Sequence, residues 1–178
     1  MWRLPEGQSE KRYFHKGTNM DNLIWYACYG SNILSERFHL YIQGGHYEVN
    51  GRDYPGCTDK TLPRSDKPIL IPYELYYGQH SGSWVYQDRK CGVAFLDKTR
   101  PAITVGRAYL ITEEQFEEVR RQEGAGWYDE RIFLCVDDGY EIYTFTHSSR
   151  YNDNTPSPDY LTVIRQGMRE MISGAILP

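Results

Sequence analysis

The chain has 178 residues, 40% of them hydrophobic and 15% aromatic, with 20 Lys+Arg against 24 Asp+Glu and a formal net charge of −4. That is enough apolar material for one compact domain, and it excludes a wholly disordered, low-complexity or collagen-like chain. Mild acidity supplies no global field for nucleic acid, and no run approaches the roughly 20 apolar residues that cross a bilayer, so neither nucleic acid nor membrane is an expected partner.

Residues 1–22 are polar, with Trp2, Tyr13 and Phe14 as the main apolar anchors, and read as an N-terminal extension before a single domain over residues 23–178. Glu6, Glu10 and Lys11 fit no secretory signal, so a cytoplasmic protein is expected. Leu23-Ile-Trp-Tyr-Ala-Cys28 and Tyr29 read as a buried strand that stops at Gly30-Ser31-Asn32, residue types that favour turns. A helix is expected near Leu34 to Tyr41. Gly44 to Lys67 is rich in Gly and Pro and poor in aliphatics, which predicts a long surface excursion of the kind that shapes a pocket mouth.

Short apolar segments follow at Ile69 to Tyr77, Cys91 to Leu96, Ile103 to Leu110, Tyr128 to Val136 and Tyr140 to Phe145, each of strand length. Between the third and fourth, Thr112 to Gln122 carries a helix signature. Thr112 caps, Gln115 sits at the third helical position, and Ile111 and Phe116 form a hydrophobic staple. Ser157-Pro158 then opens a closing amphipathic helix with Leu161, Ile164, Met168 and Met171 on one face. The connections are too short for repeated βαβ units. The pattern predicts an α+β domain of mostly antiparallel strands in a closed or nearly closed sheet, with helices around it.

Two places stand out for chemistry. In Tyr29-Gly30-Ser31-Asn32, successive backbone N–H groups at the start of a helix can hold a carboxylate, with Ser31 and Asn32 adding side-chain bonds. An ordinary strand-to-helix turn favours the same residues. Glu123 follows Phe116 and Val119 at helical spacing and so continues an apolar face, whereas Glu117 and Glu118 point elsewhere. A partly desolvated carboxylate there keeps proton exchange accessible near neutral pH, while a solvated helix-end glutamate does not.

Cys28, Cys57, Cys91 and Cys135 contain no CxxC pair and read as core thiols, which leaves little sequence support for a structural zinc site or redox pair, and no metal is expected. A hydrolase using Cys28 with His39, His80 or His147 has no spacing in its favour. Gly44-Gly45 and Gly51 lack dinucleotide and P-loop signatures, so no cofactor is expected.

In sequence order, Tyr29-Gly30-Ser31-Asn32, Gly92-Val93-Ala94-Phe95, Gly106-Arg107-Ala108-Tyr109, Gln122-Glu123-Gly124 and Pro156-Ser157-Pro158-Asp159-Tyr160-Leu161 resemble the gamma-glutamylcyclotransferase-like, or AIG2-like, superfamily. The resemblance implies a mixed β-barrel surrounded by helices, with a cavity beside the Tyr-Gly-Ser-Asn loop. It also implies a metal-independent reaction in which the alpha-amine of a gamma-glutamyl group attacks its own gamma-carbonyl, releasing an amine or amino acid and 5-oxoproline. Glu123 matches the catalytic glutamate. Tyr29, Gly30, Ser31 and Asn32 match the substrate-binding loop, with Ser31 as a binding residue rather than a nucleophile. Tyr128 and Tyr143 resemble pocket tyrosines. The expected partner is a small gamma-glutamyl-containing molecule, and the competing expectation is a binding domain that keeps the scaffold without turnover.

Overall fold

The computed structural model describes residues 22–176, so residues 1–21 of the expected N-terminal extension lie outside the described residues. Strand β1 (Leu23–Cys28) is buried along almost its whole length. It pairs antiparallel with β7 (Thr104–Thr112) on one side and parallel with β9 (Tyr140–Thr146) on the other. A strand enclosed on both edges and both faces has no solvent side, which is why Leu-Ile-Trp-Tyr-Ala-Cys shows no polar alternation.

β7 also pairs with β4 (Ser65–Ile71), and β9 with β8 (Glu130–Asp137), both antiparallel. The resulting five-stranded sheet has the order β4-β7-β1-β9-β8. Two further pairs stand apart: β2 (Gly45–Tyr47) with β3 (Arg52–Tyr54), and the long β5 (Glu74–Tyr86) with β6 (Arg89–Asp97).

The expected barrel is therefore not formed. β4 and β8 remain sheet edges, and β5 and β6 satisfy each other as a separate ribbon instead of closing the ring. Side chains bridge the two edge strands: Lys67 Nζ on β4 lies 2.5 Å from Asp137 Oδ2 at the end of β8, and 4.1 Å from the Trp25 ring centroid. The edges carry features that discourage further pairing, with Pro68 in β4 and a bulge between Phe133 and Cys135 in β8.

The helices follow their local signals. α1 covers Ser35–Gln43, α2 covers Glu113–Gly124 and α3 covers Pro158–Ile176. Thr112 and Gln115 form a reciprocal capping box, each backbone N–H bonded to the other's side chain at 3.1 Å. Ser157 Oγ accepts from the Tyr160 N–H at the start of α3. Helix α3 is 19 residues long, yet among the described residues no helix is both long and apolar enough to cross a membrane.

An aromatic cluster fills the space between α1, α2 and the sheet. Tyr26 stacks on Phe145 at 5.0 Å, meets Phe38 at 5.5 Å and Phe116 at 5.6 Å, and Phe38 stacks on Tyr109 at 4.1 Å.

Three further expectations change. The Ile69 to Tyr77 segment is two strands, broken at Pro72, which has no N–H to continue a ladder. The excursion from Gly44 to Lys67 holds the β2–β3 hairpin and buries Tyr47, Tyr54 and Cys57, because α1 presents Tyr41 and Arg37 to it. Cys28, Cys57 and Cys91 are core thiols, whereas Cys135 is exposed on the edge strand β8.

Candidate functional site

After β1 the chain passes through Tyr29-Gly30 into one 3-10 turn, Ser31–Ile33, and then into α1. Helix α3 pins this loop from outside. A Cβ on Gly167 would lie 2.4 Å from Leu34 N and 2.5 Å from Ile33 C, and one on Gly30 would lie 2.7 Å from Tyr160 Oη. Glycine at 167 lets helix and loop meet at backbone distance, and glycine at 30 leaves room for the Tyr160 hydroxyl. From the sheet, Tyr109 Oη donates to the Asn32 carbonyl at 3.0 Å.

The loop lines one wall of a pocket with an empty volume of about 570 Å³, the open space at its mouth included. Glu123 lines it from the last turn of α2, which ends at Gly124 in a left-handed conformation, φ +99°. The Phe116 and Val119 side chains, two turns and one turn earlier, are buried, and they hold the helix so that Glu123 is half-buried at the pocket. Asn32 Nδ2 donates to Glu123 Oε1 at 2.6 Å. Asn32 Oδ1 is buried with no hydrogen-bond partner.

Ser31 is buried, and its Oγ accepts from Arg37 Nε at 2.9 Å. A hydroxyl whose lone pair is taken by a guanidinium keeps its own proton to donate. The Tyr29 hydroxyl donates to the Phe145 carbonyl at 2.7 Å, and that of Tyr128 to the Ala94 carbonyl at 3.0 Å. Both rings line the pocket while their hydroxyls anchor its walls. Tyr143 is not among the lining residues: its hydroxyl donates to Glu141 at 2.8 Å and its ring lies under the Arg131 guanidinium at 3.8 Å. Of the seven residues singled out from the sequence, the structure brings together six.

The sequence reading passed over two arginines. Arg37 on α1 is only 2% exposed and lines the pocket. Its Nη1 donates to Tyr54 Oη at 2.9 Å and its Nη2 to Tyr41 Oη at 3.3 Å. It follows Leu34 by three positions and precedes Tyr41 by four, the same inward spacing that marks Glu123. Arg52, from the β2–β3 hairpin, is half-buried, lines the same pocket and donates to the Gln122 carbonyl at 2.5 Å. Nothing local in the polar stretch around it signals that reach.

Cys28 also borders the pocket, but its Sγ donates to the Arg107 carbonyl at 3.2 Å, and burial pushes its pKa far above the usual thiol range. Burial there disfavours the thiolate that a cysteine hydrolase requires.

No protein-family model matches the chain. Histone deacetylase 5 of Arabidopsis thaliana is 34% identical over 108 residues, which are 56% of this chain and 15% of that protein. The chain thus spans a small part of that relative. Among solved structures, a gamma-glutamyl cyclotransferase superposes with a TM-score of 0.56 at 21% identity, covering 83% of this chain and 79% of the other. An uncharacterized protein from Homo sapiens gives 0.58 at 22% identity, over 84% and 80% of the two chains. YkqA from Bacillus subtilis gives 0.52 at 19% identity, over 85% of this chain and 55% of its own. The sheet, the three helices and the pocket beside the Tyr29–Asn32 loop are thus arranged on a gamma-glutamyl cyclotransferase-like, or AIG2-like, fold.

Proposed function

We propose that the pocket cleaves gamma-glutamyl amines, amino acids or peptides by cyclotransfer, releasing 5-oxoproline and the amine or amino acid. The observation that carries this reading is the Asn32–Glu123 pair at 2.6 Å, which puts a half-buried carboxylate against the loop in one pocket. The shared fold supports it.

In this mechanism the gamma-glutamyl group enters folded, with its alpha-amine over its gamma-carbonyl. Holding the two in contact removes most of the entropy of ring closure. The backbone N–H groups of Gly30 to Asn32 and the Ser31 hydroxyl hold the alpha-carboxylate. The unpartnered Asn32 Oδ1 accepts an N–H from the alpha-amine, which places the nitrogen beside Glu123.

The neutral amine nitrogen forms a bond to the gamma-carbonyl carbon, and collapse of the adduct breaks the bond to the leaving nitrogen. Glu123 takes the proton from the attacking nitrogen and returns it to the leaving one. No water is consumed, and nothing is oxidised or reduced.

The test is incubation of the wild type and Glu123→Gln with gamma-glutamyl dipeptides, glutathione and gamma-glutamylamines, with products separated by mass and stability checked by thermal unfolding. Ring product from the wild type, lost in a folded Glu123→Gln, supports the reading. Saturable binding without ring product replaces it with a binding domain.

A further inference from the structure

We propose that the Trp127 indole is a stacking platform at the mouth of this pocket, so that the pocket selects gamma-glutamyl compounds whose leaving amine carries an aromatic ring. The inference rests on the cyclotransfer reading and specifies the substrate class for that site.

The platform is built by the chain just after Glu123. The N–H groups of Trp127 and Tyr128 both donate to the Gly124 carbonyl, at 2.8 and 3.1 Å, which folds the backbone back at the end of α2. Tyr128 then locks the far side, its ring stacked on Phe95 at 4.9 Å and its hydroxyl bonded to the Ala94 carbonyl. Trp127 is thus held by the backbone on both sides, and a ring that is already in place loses little freedom when a ligand covers it.

Burial shows which end of the pocket Trp127 occupies. Among the lining residues only Gly30, Arg52, Ser83, Glu123 and Trp127 are half-buried, and the others are buried. The half-buried set marks the mouth, and Trp127 is its aromatic member.

The other rings of the pocket are already partnered. Tyr26 stacks on Phe145 at 5.0 Å, Trp84 meets Tyr160 edge-on at 4.9 Å, and the Tyr29 hydroxyl is bonded to the Phe145 carbonyl. Trp127 packs against the core, yet among the described residues it makes no ring stack, no cation contact and no side-chain hydrogen bond. A large aromatic side chain lining a cavity without a ring partner offers a ligand both apolar area and stacking geometry.

In the mechanism above, the alpha-carboxylate goes to the buried loop and the leaving nitrogen to Glu123. The substituent on that nitrogen then continues toward the mouth, where Trp127 lies. A planar ring there gains offset stacking beyond the burial of its area. A cationic tail is the other partner that an indole face takes, but Arg37 and Arg52, two permanent charges against the single carboxylate of Glu123, line the same pocket and oppose it.

The test compares gamma-glutamyl-(2-phenylethyl)amine with gamma-glutamyl-(2-cyclohexylethyl)amine, which has the same carbon skeleton without the π-system. The readout is the ratio of their kcat/KM values for wild type, Trp127→Phe and Trp127→Leu, with folding checked by thermal unfolding. The wild type is expected to favour the phenyl compound by about twofold to tenfold, the scale of one aromatic pair. Trp127→Leu is expected to bring the ratio to unity or below, and Trp127→Phe to keep part of the preference.

Equal handling by the wild type, or preference for the cyclohexyl compound, overturns the platform while leaving cyclotransfer intact. A fall in both values with the ratio unchanged in Trp127→Leu also overturns it, because Trp127 then acts only by holding the turn that carries Glu123. Absence of 5-oxoproline from both compounds and from gamma-glutamyl dipeptides overturns the cyclotransfer reading, and this inference with it.

Discussion

Asn32, on the loop after β1, and Glu123, in the last turn of α2, lie 2.6 Å apart although 91 residues separate them. The helix dipole disfavours a carboxylate in a C-terminal turn. The Asn32 N–H offsets part of that cost and fixes the Glu123 carboxylate at the pocket.

Asn32→Ala removes both the bond to Glu123 and the acceptor proposed for the amine. The expected outcome is a drop in kcat/KM of about a hundredfold, the usual consequence of a misplaced reacting group, with the fold retained. Steady-state kinetics beside a circular dichroism spectrum check it. Unchanged turnover separates Asn32 from the chemistry.

Gly167→Ala tests whether α3 sets the loop. The added methyl meets Leu34 N and Ile33 C, both backbone atoms that no rotamer change can move aside. The expected cost is about 1–3 kcal/mol in urea unfolding, as for other overpacked sites, with turnover reduced more than the loss of folded protein explains.

Arg37→Lys is expected to fail as a replacement. A lysine ammonium is a compact point charge, whereas the Arg37 fork reaches Ser31, Tyr54 and Tyr41 at once. Thermal unfolding is expected to show Arg37→Lys clearly below the wild type, and equal midpoints would remove the geometric argument.

Much of this was legible because it is local. The Thr112 capping box and the Phe116–Val119–Glu123 spacing lie within a few helical turns, so the sequence places α2 and points Glu123 inward. The open sheet was not legible, since edge pairing depends on how β5 and β6 choose each other over distant strands. Tyr143 shares a strand face with Phe145 but lies two residues away along β9, where Arg131 covers it. Arg52 reaches the pocket only through the hairpin fold of its segment, which the Gly- and Pro-rich composition conceals.

Stability in acid depends in part on Glu170 of α3. Burial works against its charge, but the Ser35 N–H and the Arg107 guanidinium outweigh it and hold the carboxyl below its ordinary value of 4.5. A lowered folded-state value means stability that is present above the unfolded value and lost as pH falls through the folded one. Glu170→Gln is therefore expected to lower the thermal midpoint at about pH 7, and the gap to the wild type is expected to close by about pH 3. A gap independent of pH would show that the ionised carboxylate contributes nothing.

In the proposed reaction Glu123 relays a proton within an intramolecular ring closure. The most direct measurement of this step is parallel quantification of 5-oxoproline, glutamate and released amine from one gamma-glutamyl amino acid, with wild type and Glu123→Gln. The expected result is 5-oxoproline equal to the released amino acid, no glutamate, and a rate about a hundredfold to ten-thousandfold lower in Glu123→Gln. Glutamate as the product, or a folded Glu123→Gln as fast as the wild type, would contradict it.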